Sequence, residues 1–161
     1  MFEQYKEFVL QKAAPEREIT NYHLLHAALG LSTETLELLL AKNSENINEE
    51  LGDICWYLTL ASHSINHTPI YWDTEIPCLI LDFVSEVEDF VSLVKKEVIY
   101  GNHQSLEPTL SRVWRRYQQM LYHFTGSSSP DTIMKYNMGK LNQRYSTTFT
   151  SEEAAFRKDK E

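Results

Sequence analysis

Ile47, Leu51, Ile54, Leu58 and Ala61 recur at intervals of four and three residues, which puts five apolar side chains on one face of an α-helix. A strand cannot gather them, because its side chains alternate faces with every residue. The same spacing marks residues 2–12, where Phe2, Tyr5, Phe8 and Val9 form the stripe and Pro15 follows as a stop. Further helices are predicted over residues 21–42, 48–64, 77–98, 108–124 and 131–143. Gly30 falls inside the first of these and predicts a kink or a close helix contact. Residues 43–46 read as a break, Thr68-Pro69 and Pro77 as the bounds of a loop, and Gly101-Asn102 as a turn. The most linker-like segment is GSSSP at residues 126–130, and the Glu-Glu pair after Ser151 suits the cap of one last turn. Only five glycines and five prolines interrupt these stretches, so the expected fold is all-α. A length of 161 residues suits one domain, 1–161.

The formal charge is −8. That excludes sequence-independent binding to nucleic acid or to an anionic membrane, since both need a basic surface. The first twenty residues mix charge throughout, and no stretch approaches the roughly 20 apolar residues that span a bilayer. Cys55 and Cys78 have neither CxxC nor Cys/His spacing and read as reduced core thiols, which points to a cytoplasmic protein. A phosphorylated substrate of so acidic a chain would need metal ions.

Three pairs of acidic residues stand three apart: Glu34/Glu37, Glu50/Asp53 and Glu86/Asp89. Two like charges on one helix face cost an isolated helix about 0.2–0.5 kcal/mol, so something else must hold them there. The first two pairs fall on consecutive predicted helices joined by a short loop, and antiparallel packing can bring them face to face. Glu34 lies beside Leu31 and Leu38, and Glu50 beside Ile47, Leu51 and Ile54, so both border an apolar stripe. Four carboxylates in a partly dry space either take up protons or bind hard divalent cations. Di-iron bundles use Glu-x-x-His motifs, and no glutamate here has histidine at the third following position. Mg²⁺, with Mn²⁺ as a substitute, is the expected occupant. It keeps waters and takes substrate phosphates, which implies attack of metal-activated water on a phosphoanhydride.

The run HAALGLSTETLELLLAKNSENINEELGDICWYL, residues 26–58, resembles the signature of MazG-type nucleoside triphosphate pyrophosphohydrolases, a GL..E..E segment followed by EELGD and an aromatic-rich helix. Residues 137–145, NMGKLNQRY, resemble the N..KL..RY segment of phage-type members, and residues 149–159 are more loosely similar to their ending. Together these blocks cover roughly a third of the chain. The resemblance implies a helical bundle that hydrolyses a nucleoside or deoxynucleoside triphosphate to the monophosphate and pyrophosphate, with Glu34, Glu37, Glu50 and Asp53 as Mg²⁺ ligands. It implies Asn137, Lys140 and Arg144 on the substrate, Tyr57 near the nucleotide, and a homo-oligomer, dimer or tetramer. Trp56, His23 and His26 are weaker candidates for a base pocket. Phage-type relatives include enzymes that trim purine deoxynucleotides, which favours a substrate such as dGTP. The alternatives are a dUTP or dCTP house-cleaning activity, or a helical module that binds a nucleotide or a protein without turnover.

Compact phage-type members pass almost directly from the EELGD helix to the N..KL segment, whereas about seventy residues, 67–136, intervene here. Within them SEVEDFVSLVKKEVIYG and LSRVWRRYQQML echo the E..E helix and the aromatic helix, but the second lacks an ExxD pair. A degenerate internal repeat is expected to pack on the active half, supplying helices that a partner subunit supplies in smaller relatives. Glu86/Asp89 would then be vestigial, and an unrelated helical hairpin is the alternative.

Overall fold

The computed structural model describes residues 1–13, 21–71 and 75–145. Among them the chain forms six helices and no strand: α1 (Phe2–Lys12), α2 (Tyr22–Leu40), α3 (Ser44–Ser64), α4 (Ile80–Tyr100), α5 (Glu107–Thr125) and α6 (Asp131–Arg144). The all-α class expected from periodicity is met. The stop at Pro15, the turn near Ser151 and the looser match over residues 149–159 lie outside the described residues.

Two boundaries differ from the sequence reading. Residues 43–46 are mostly helix and not a break, because the extended Asn43 (φ −148°, ψ 168°) accepts a hydrogen bond from the Asn46 N–H at 2.9 Å and starts α3 four residues early. Asparagine is among the best N-caps, satisfying a backbone donor that the helix itself cannot. Pro77 lies ahead of the fourth helix, which opens at Ile80 and closes on Gly101, where φ of +62° suits glycine.

Only residues 41–43 separate α2 from α3, so the two helices form an antiparallel hairpin. The helix with the clearest stripe is the central one: α3 touches α1, α2, α5 and α6. Leu51, Ile54, Leu58 and Ala61 are accordingly fully buried. Residues 67–136 contain a second hairpin, with α4 against α2 and α5 against both α3 and α4. Tyr117 of α5 donates to the Leu51 carbonyl at 2.9 Å and Trp114 Nε1 to Ser62 Oγ at 2.9 Å, tying this hairpin to α3. All six helices contribute to one apolar cluster, from Tyr5 in α1 to Met134 in α6. Glu86 accepts from Arg112 Nε at 2.9 Å across the second hairpin and Asp89 is exposed, so the members of this third acidic pair have separate surroundings. Cys55 and Cys78 are buried free thiols. No helix among the described residues is long and apolar enough to cross a membrane.

Candidate metal centre

The α2–α3 hairpin sets Glu34 opposite Glu50 and Asp53, which lie one turn apart on α3. One carboxylate oxygen from each of the three lies within 4.8 Å of the other two. Glu37, one turn beyond Glu34, lines the same cleft but is exposed and stands outside this triad. The sequence reading missed Glu49, which is buried, lines the cleft too and directly precedes Glu50 in EELGD. Its adjacency to Glu50 was the one local signal.

Five carboxylates thus crowd a cleft that holds two cations, Lys140 and Arg144, both from α6. Lys140 Nζ donates to Asp53 Oδ2 at 2.5 Å and lies 3.8 Å from Glu49. Arg144 Nη2 donates to Glu49 at 3.4 Å. Asn137 Nδ2 donates to Asp53 Oδ1 at 2.8 Å. The three α6 residues expected on a substrate therefore brace the acidic cluster, and both oxygens of Asp53 are held.

Burial, then repulsion from Asp53, Glu37 and Glu50, pushes the Glu34 carboxyl up to about 8. Burial and the charges of Asp53, Glu37 and Glu49 push Glu50 up to about 7, against the opposing pull of Lys140. A cluster in this state holds protons near neutrality or exchanges them for a divalent cation. The donor set fits a hard ion, because the triad offers carboxylate oxygen and neither sulfur nor imidazole.

Glu34 and Asp53 also form part of the wall of a second cavity, closed by the aromatic rings of His26, Trp56 and Tyr57 and by Tyr145. The rings meet edge to face, with centroids 4.9 Å apart for Trp56 and Tyr57 and 5.5 Å for His26 and Tyr57. His26 Nδ1 and Trp56 Nε1 are buried without a hydrogen-bond partner among the described residues. Burial and the neighbouring His23 lower the His26 pKa, so its ring is neutral at pH 7. His23 itself is not part of the cavity wall. Lys12 lines the cavity and donates to the Tyr145 carbonyl at 2.8 Å, a pairing across 133 residues that no local pattern announced.

Two glycines of the motif segment make room for these groups. A Cβ on Gly30 would lie 2.3 Å from the Tyr57 ring, and α2 is continuous from Tyr22 to Leu40, so the glycine marks a close helix contact. Gly30→Ala is expected to displace a ring already wedged by His26 and Trp56, costing about 1–3 kcal/mol in chemical denaturation. Wild-type stability in that variant would show that the ring moves freely. Comparison of the chain with protein-family models, with curated proteins and with solved structures finds no match in any of the three.

Proposed function

We propose that the chain hydrolyses a nucleoside or deoxynucleoside triphosphate to the monophosphate and pyrophosphate, with Mg²⁺ held by Glu34, Glu50 and Asp53 and with Glu37 at the mouth of the cleft. The observation that carries this reading is the shared wall: Glu34 and Asp53 face both the acidic cleft and the aromatic cavity. A ligand with a flat polar ring at one end and a polyphosphate at the other would use both spaces. Mg²⁺, replaceable by Mn²⁺, supplies charge neutralisation and an acidified water when bound. Lys140 and Arg144 bring N–H donors suited to phosphate oxygens. His26 and Trp56 bring unpartnered ring nitrogens for the polar edge of a base, and Tyr57 contributes a ring to the cavity wall.

The MazG-type resemblance over residues 26–58 and 137–145 supports the same assignment, and its phage-type members favour a purine deoxynucleotide such as dGTP. A dUTP or dCTP preference is the alternative that a substrate panel separates. Leu29, Leu36 and Leu40, 56–67 % exposed at seven- and four-residue intervals on α2, offer an apolar stripe to a second copy, in keeping with a dimer or tetramer. Light scattering that returns a monomer would remove the oligomer from the proposal.

The deciding experiment incubates the protein with each common ribo- and deoxyribonucleoside triphosphate and identifies the products. Monophosphate and pyrophosphate are expected with Mg²⁺ and neither with EDTA; orthophosphate alone, or no turnover of any nucleotide, refutes the reading. Trp56→Phe removes one N–H and keeps a ring. It is expected to raise KM about 3–10-fold with kcat unchanged, the size of one neutral hydrogen bond. An unchanged KM would exclude the indole from base recognition.

A further inference from the structure

Asp53 is approached by a chain of hydrogen bonds that begins on α1. Tyr5 is fully buried, and its hydroxyl donates to Asn137 Oδ1 at 2.7 Å. Asn137 is equally buried and donates through Nδ2 to Asp53 Oδ1 at 2.8 Å. A side-chain amide has one accepting and one donating end, whereas an ionised carboxylate only accepts. Asp53 thus needs the nitrogen end of Asn137, and the oxygen end then needs a donor. Tyr5 supplies it, and burial, the largest influence on the phenol, keeps it protonated. The amide is also confined from below, since a Cβ on Gly52 would lie 3.0 Å from Asn137 Nδ2 and 3.1 Å from its Cβ. Gly52 adjoins Asp53, so the close approach of α6 to α3 at this glycine and the orientation of the amide are one arrangement.

We propose that Tyr5 is a positioning residue for Asp53, fixing through Asn137 the orientation in which that carboxylate faces the metal. The proposal rests on the metal-centre reading given above. It adds a residue of the first helix, 48 positions before the carboxylate it serves, that touches neither metal nor substrate. Outer partners of metal-binding carboxylates set ligand orientation, and their loss weakens metal binding by about 10–100-fold.

Tyr5→Phe tests this directly, because it removes only the hydroxyl and keeps the ring stacked on Phe8, 6.3 Å away. The readout is Mn²⁺ affinity by calorimetry on the nucleotide-free protein, which needs no turnover, with the half-saturating Mg²⁺ concentration for pyrophosphate release as a second measure. Tyr5→Phe is expected to bind Mn²⁺ about tenfold more weakly. In an Asn137→Ala background the same change is expected to have no further effect, since the route from Tyr5 to Asp53 is already cut. A buried tyrosine with a merely structural role would lower the melting temperature and leave Mn²⁺ affinity alone. Unchanged affinity in folded Tyr5→Phe, or an equal loss in both backgrounds, overturns the proposal while the metal centre stands. Wild-type protein that binds no Mn²⁺, or binds it equally well as Asp53→Asn, overturns the metal centre and this proposal with it.

Discussion

Glu50→Gln is expected to lower Mg²⁺-dependent pyrophosphate release by about 100–1,000-fold, the effect of removing one electrostatic contributor from a reaction centre. The same change is expected to raise the melting temperature of the metal-free protein at pH 8. The two effects have one origin. Glu50 is 9 % exposed and faces the charges of Asp53, Glu37 and Glu49, which with burial hold its carboxyl up to about 7. Glutamine has the shape of the protonated acid without its titration, so it relieves the repulsion that ionised Glu50 imposes on the fold. A carboxylate kept for packing alone would show the opposite pattern, with stability falling and turnover intact. Equal turnover in variant and wild type removes Glu50 from the mechanism. Glu37→Gln is a graded control: Glu37 is exposed and outside the triad, so its loss is expected to cost no more than about tenfold.

The helices were legible because their signal is local. Leu51, Ile54, Leu58 and Ala61 report one buried face by spacing alone, and all four are fully buried. The start of α3 was misjudged where a cap outweighs a stripe: Asn43 begins the helix before any apolar residue marks it. The acidic pairs were legible for the same reason as the stripes, since Glu50/Asp53 and Glu34/Glu37 each lie within one helical turn and their helices are joined by a short loop. What holds Asp53 was not legible. Asn137 and Lys140 lie 84 and 87 residues away, and their spacing suggests a helix face with a cation on it without naming the partner. The resemblance sets both on the substrate, and an ammonium in an acidic chain suits a phosphate. In the structure both hydrogen-bond to Asp53, because α6 packs against α3 at Gly52. Glycine carried a similar ambiguity at position 30, where one residue could mark a bend or a contact and only the Tyr57 ring decides which.

Raising the pH from 5 to 8 is expected to destabilise the metal-free protein, and saturating Mg²⁺ to restore most of the loss. The carboxyls of Glu34 and Glu50 ionise at about 8 and about 7 in the folded chain, against 4.5 for an ordinary glutamate. Below pH 4.5 both groups carry their protons in folded and unfolded chains alike. Between 4.5 and 8 the unfolded chain has released protons that the folded chain still holds, so stability falls as pH rises, and the fall is complete above pH 8. Screening and mutual relief within the cluster leave about 2–4 kcal/mol of the nominal effect, which for a chain of this size is roughly 5–15 °C in Tm. Divalent cation reverses the sign of the problem, because it needs those carboxylates deprotonated and displaces their protons on binding. The Mg²⁺-induced rise in Tm should therefore be large at pH 8 and small at pH 5.5, where protons already occupy the cluster. Glu34→Gln, which removes the most strongly raised carboxyl, should flatten the metal-free profile. A Tm that stays level from pH 5 to 8, or an Mg²⁺ shift of the same size at both ends, would mean that the carboxylates are solvated separately and do not form one cation-binding cluster.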